Sequence, residues 1–183
     1  ISLQEQLDVL PGWDVRLANL DLQNLGFMME DKNAQEKSST PDFQNLHIQD
    51  LLFSAEDAVF NDEQKSVKIN WLNFLEAGGF TLEEFAMDAL LRDNLAEVNG
   101  LRVRFGKTAI QGDIKAGFEN PDMIIQNPGK TTVDVDINNT SLHAGDLFYL
   151  GGISPLDTAL WPYRDATVNL KLEIAGQVDN LDV

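Results

Sequence analysis

Cysteine is absent from this 183-residue chain, which removes disulfide scaffolds and thiolate-ligated metal and leaves the redox compartment undetermined. Positive charge is scarce: 13 Lys and Arg stand against 30 Asp and Glu, a formal net charge of −17. Nucleic acid is therefore excluded as a natural partner, because neutralising phosphates takes clustered Lys and Arg. Electrostatic docking on anionic lipid head groups is disfavoured for the same reason. The acidity reads as solubility. No apolar run approaches the roughly 20 residues that a bilayer-spanning helix needs, so no membrane-spanning segment is expected in this piece. Gly-rich phosphate loops are missing too, since Gly78-Gly79 and Gly151-Gly152 are isolated pairs outside any strand-loop-helix frame. Without an initiator Met or a signal sequence, the chain reads as an excised segment of a longer protein, and nothing follows about the targeting of that parent.

What the chain has is alternation. Residues 95–118 read as a β-hairpin in which Leu101, Val103 and Phe105 alternate with Arg102 and Arg104. After Gly106-Lys107, the residues Thr108, Ile110, Ile114, Ala116 and Phe118 alternate with Gln111, Asp113 and Lys115. A two-residue loop with Gly first suits a type II′ turn. That turn pairs Phe105 with Thr108, Val103 with Ile110 and Leu101 with Gly112, so every larger apolar residue falls on one face. A slip of one residue would expose the whole apolar set, so the register is well specified.

The same pattern recurs elsewhere. Val133, Val135 and Ile137 alternate with Asp134, Asp136 and Asn138, and Val168, Leu170, Leu172 and Ile174 with Asn169, Lys171 and Glu173. Within 13–29 the apolar spacing changes from two to three between Leu17 and Leu20 and between Leu22 and Leu25, as bulged strands would require; a helix is the rival reading. Val67, Ile69 and Trp71 are expected on one strand face. Residues 80–92 have helical composition, and local propensity alone makes them a helix. Residues 30–42 are polar and aperiodic and read as a mobile loop. A turn of helix is placed at 121–125 and a short helix at 155–163, with Ser154 as N-cap and Pro155 at its first position. The sum is a mainly β chain: a multi-stranded antiparallel sheet with one or two short helices, in a single β-rich segment over 1–183.

No catalytic constellation accompanies these elements. His47 and His143 lie far apart without a partner motif and read as structural or surface histidines. Asp134 and Asp136 share one strand face but lack the acidic loop with its central Gly that Ca²⁺ sites use, so no metal or other cofactor is expected. Asn138-Asn139-Thr140 fits the glycosylation acceptor pattern. We expect no enzyme.

The order of motifs from Phe43 onward resembles the AsmA-like / translocation and assembly module TamB family of Gram-negative envelope proteins. The residues that carry the resemblance are FQNLHIQDLLFSAED, VKINWLNFLEAGGFTLEEFAMDALL, LAEVNGLRVRFGKTAIQGDIKAGF, TTVDVDINNTSLHAGDLFYL and ATVNLKLEIAGQVDNLDV, about three quarters of the chain. The resemblance implies a twisted sheet curled as a half-pipe (a β-taco) with an apolar inner face, and it turns 80–92 into a strand. It also implies a periplasmic location, with the parent anchored in the inner membrane. The implied role is transport of phospholipids in outer-membrane biogenesis, or assembly and secretion of outer-membrane proteins with a barrel partner reached through other parts of the parent. The lipid-facing groove would then be lined by Leu101, Val103, Phe105, Ile110, Ile114, Phe118, Val133, Val135, Ile137, Val168, Leu170 and Leu172, with phospholipid acyl chains as the bound partner. Two other readings remain: a chaperone-like module that binds client strands by edge augmentation, and a closed structural β-domain whose apolar face is filled by its own side chains.

Overall fold

Alternating sequence becomes alternating structure. The computed structural model describes residues 13–30, 45–121, 126–153 and 156–182. Its strands are β1 (Val15–Glu30), β2 (Asn45–Phe60), β3 (Gln64–Glu76), β4 (Thr81–Arg92), β5 (Leu95–Phe105), β6 (Thr108–Gly117), β7 (Thr132–His143), β8 (Thr167–Gln177) and β9 (Asn180–Asp182). They form one nine-stranded sheet whose spatial order is the chain order, every neighbouring pair antiparallel. β1 and β9 do not pair with each other, so the sheet is unclosed and curls as a half-pipe.

The curl has a local cause. Each pairing from β1–β2 to β7–β8 contains at least one register shift. A bulge adds one residue to one strand, bends it and raises its twist. Four non-glycine residues take a left-handed backbone: Asn24 (φ 54°), Asp50 (52°), Asp57 (53°) and Asn139 (45°). Each lies at an irregular step of its strand, and all are Asn or Asp, which tolerate that region best. The bulge expected between Leu22 and Leu25 is present, with Asn24 as the extra residue. At Leu17–Leu20 the pairing with β2 does not shift, because β2 has its own irregularity opposite, at Asp57.

The β5–β6 hairpin has the expected register: Phe105 faces Thr108, Val103 faces Ile110 and Leu101 faces Gly112. Gly106 has φ 56° while Lys107 keeps a negative φ, the signature of a II′ turn. A Cβ on Gly106 would also lie 2.5 Å from Asp146 Oδ1. Gly106→Val is therefore expected to lower stability by about 1 kcal/mol or more, and Lys107→Ala to be nearly neutral, in urea titrations of the two variants. Equal midpoints for both would show that the turn has another geometry.

Residues 81–92 are strand β4, as the resemblance implied and against local propensity: Phe85, Met87 and Ala89 each find an apolar partner in Val103, Ile69 and Val67, and that pairing outweighs propensity. Two expectations need correction. An α-helix, α1, spans Ala144–Leu150, whereas 156–163, where a short helix was expected, holds turns and one 3₁₀ turn, Trp161–Tyr163. Pro162 would sit inside a helix spanning 155–163, where it lacks the N–H and collides with the preceding turn. Trp71 lies opposite Ser54 on the face away from Val67 and Ile69, because Asn70 is an extra residue in β3. Glu30 is the last residue of β1; 31–42, Ser154, Pro155 and 122–125 lie outside the described residues.

Candidate functional site

Register fixes which side chains share a face. The pairs Val103–Ile110, Ile114–Val135, Val135–Ile174, Ile137–Leu172 and Thr140–Leu170 run across β5 to β8 on one side of the sheet. Leu101, Phe105, Val133 and Val168 join them through Gly112, Thr108, Ala116 and Leu142. Phe118 follows β6 in the same alternation, buried, its N–H donating to Asn94 O. All the groove residues singled out from the sequence thus fall on one continuous face.

The face extends further than those residues. Met87–Ile69, Phe85–Leu72, Leu82–Phe74, Leu72–Phe53, Leu22–Phe53 and Phe27–Ile48 carry it across β4, β3 and β2 to β1. Sequence reading missed these residues because the bulges of β1–β4 break the two-residue period. Spacings of three around an Asn or Asp were the available signal.

This face is not the inside of a closed domain. Among the described residues only six apolar side chains are buried: Ala55, Ala58, Leu82, Ala86, Phe105 and Phe118. Val168 is 59% exposed, Phe27 49% and Leu25 42%, while Val103, Ile110, Ile114, Val135 and Leu172 are half-buried. A packed core at native density would cover such residues almost fully. Contiguous exposed apolar surface on this scale marks an interaction surface.

The opposite face is charged and laced with ion pairs: Arg102 with Glu84 (2.9 Å), Arg104 with Glu83 (2.6 Å), Lys115 with Glu97 (3.0 Å), Lys171 with Glu173 (2.7 Å), and Lys68 with Glu56. Hydrogen bonds from Lys68 and Lys171 hold the Glu56 and Glu173 carboxyls below the usual range. The stability these pairs add is complete above the ordinary Glu titration range and fades as pH falls through the lowered values. Being exposed, they add little. Asp136 lies between Asp113 and Glu173, and Asp134 opposite Lys115, on this same face. Among the described residues no three metal-ligating side chains converge.

One end of the apolar face is built differently. Here α1, the β5–β6 turn and the β3–β4 turn meet. Asp146, in the first turn of α1, accepts hydrogen bonds at Oδ2 from Lys107 N (2.8 Å) and Thr108 Oγ1 (2.9 Å), while Thr108 Oγ1 accepts one from His143 N (3.1 Å). His143 Nδ1 lies 3.4 Å from Asp146 Oδ1, with the imidazole buried. The Thr108 hydroxyl donates to Asp146 and not to His143, so the three do not form a nucleophile–base relay. Tyr149 OH donates to Gly78 O at 3.1 Å, tying the helix to the β3–β4 turn. Phe74, Phe80 and Phe105 line up at this end, with ring centroids 6.1 and 5.7 Å apart. Asp146→Ala would orphan the fully buried Thr108 hydroxyl and should lower stability by about 1–3 kcal/mol, measured by thermal unfolding; a smaller change would mean that water replaces the carboxylate. His47 is half-buried on β2 opposite Met28, and its carbonyl accepts a hydrogen bond from Ala77 N at the β3–β4 turn (2.9 Å).

Fold and face together define an unclosed antiparallel β-meander with one apolar and one charged side. Comparison with family models, curated proteins and solved structures returned no match.

Proposed function

We propose that this chain is a non-enzymatic segment of a bridge protein of the Gram-negative periplasm, of the AsmA-like/TamB kind, in which the apolar sheet face shields phospholipid acyl chains passing between inner and outer membranes. The observation that carries the reading is the half-exposed apolar face running unbroken from β1 to β8, backed by a charged face that stays wet. Acyl chains laid on such a face leave water without any bond being made or broken, and burying each methylene contributes about 0.8 kcal/mol. Anchoring of the parent in the inner membrane, and a barrel partner in the outer membrane contacted by other parts of it, belong to the same proposal. Photoactivatable phospholipid incubated with the purified chain should crosslink to it in proportion to acyl length. Absence of crosslinking at every chain length would remove the reading.

A second reading has one observation in its favour. β1 spans 16 residues and, among the described residues, is paired on one side only. A long edge strand is a template for β-augmentation, so a chaperone-like module that receives client strands of outer-membrane proteins is the alternative. Crosslinks from β1 to client peptide instead of lipid would select it.

A further inference from the structure

At the end where α1 meets the two turns lies a cavity of about 340 Å³, lined by Gly79, Phe80, Thr81, Glu83, Phe105, Gly106, Asp146 and Tyr149. That volume is within the range of small-ligand sites, roughly 300–1,000 Å³. Phe105 and Phe80 belong to both the cavity wall and the aromatic row of the apolar face, so the cavity continues that face.

The charges around it do not balance. Glu83 is matched by Arg104 and Glu84 by Arg102. Asp146 and Glu76 are not: among the described residues no Lys or Arg side chain lies within ion-pair distance of either, and besides the Lys107 N–H and the Thr108 hydroxyl Asp146 faces His143. Glu76 is 3% exposed and its Oε2 accepts a single hydrogen bond, from Gly78 N at 2.7 Å. Burial, and with it the negative charge of nearby Glu76, pushes the Tyr149 phenol upward from its ordinary titration range. A buried carboxylate without a cation is costly, and the cost falls when a cation arrives. Aromatic rings beside carboxylates are the surroundings that ammonium groups select.

We propose that this cavity receives the ammonium group of an amphiphile whose tail lies on the apolar face; the inference rests on the lipid reading above and adds a head-group preference to it. Phe80, Phe105 and Tyr149 line the cavity, so their rings are available to the cation's methylenes or methyls. Asp146 supplies the counter-charge, with the negative charge of Glu76 near Tyr149 adding to the potential. An anionic or uncharged head group gains none of this.

The test is an NMR titration of the ¹⁵N-labelled chain with dihexanoyl phosphatidylethanolamine, dihexanoyl phosphatidylglycerol and free ethanolamine, following the amides of Gly106, Lys107 and Tyr149. The ethanolamine lipid should bind at least about tenfold more tightly than the glycerol lipid, the size of one desolvated cation–π contact. Asp146→Asn and Glu76→Gln, each checked for a native spectrum, should each remove most of that preference. Equal affinity for the two lipids would overturn the head-group site and leave the apolar groove standing. If neither lipid binds, the groove reading falls as well. Free ethanolamine binding as tightly as its lipid would show that the cavity serves a free amine, against the proposal. A lysine-containing peptide outcompeting the ethanolamine lipid would overturn it in favour of a protein occupant.

Discussion

Gly112→Val should be the most damaging single substitution in the sheet, lowering stability by about 3 kcal/mol and moving the urea midpoint accordingly. Gly112 sits on the apolar side of β6, between Leu101 of β5 and Ile137 of β7. A Cβ there would overlap the backbone oxygen of Asp136 and lie 2.7 Å from Ile137 Cδ1 and 3.0 Å from Ile137 Cα. Backbone cannot swing aside as the end of a flexible side chain can. The two strands approach this closely at Gly112, and only a residue without a side chain allows it. A stability of about 5–15 kcal/mol makes such a loss visible at once. An unchanged midpoint would mean that β6 and β7 are farther apart at this point than the structure places them.

The second large effect is on binding. Val103→Glu and Ile110→Glu, a directly paired couple in mid-face, should leave the chain folded and abolish phospholipid crosslinking. In a filled core each carboxylate would be buried without a partner and cost several kcal/mol, enough to unfold a marginal domain. Both positions are half-buried, so a carboxylate there reaches water by a rotamer change, and the expected loss of stability is about 1 kcal/mol. A charge in mid-face nonetheless cannot be desolvated by an acyl chain. Melts within a few degrees of the parent combined with lost crosslinks is the expected result. Collapse of both variants would restore the closed structural domain as the better description.

How much of this was legible in the sequence varied along the chain, and the bulges explain why. From β5 to β8 the two-residue period runs for long enough that the strands, the II′ turn and the apolar face could be read directly. Gly106-Lys107 fixed the register, and the Cα pairs are those that the alternation demanded. In β1–β3 the period is interrupted by residues such as Asn24, Asp50 and Asp57, whose left-handed backbone restores the face without leaving a regular pattern. Trp71 was assigned to the wrong side for that reason: one extra residue, Asn70, inverts every later position of β3. β4 shows the limit of propensity, since Glu83, Glu84, Ala86, Met87 and Leu90 favour helix while their partners on β3 and β5 hold them extended. The cavity near α1 was not readable at all. It depends on contacts between residues 38 or more apart in the chain, Thr108 and Lys107 with Asp146, and Gly78 with Tyr149.

The central claim is that lipid occupies one side of this sheet, and adjacent residues of β7 separate the sides most sharply. Val135 lies on the apolar face between Ile114 and Ile174, whereas Asp134, next to it, lies on the charged face opposite Lys115. A photo-crosslinking amino acid placed at each position in turn, in the presence of phospholipid vesicles, reads the two faces one residue apart. Lipid adducts at Val135 and none at Asp134 are predicted; adducts at both positions alike, or at neither, would contradict the account.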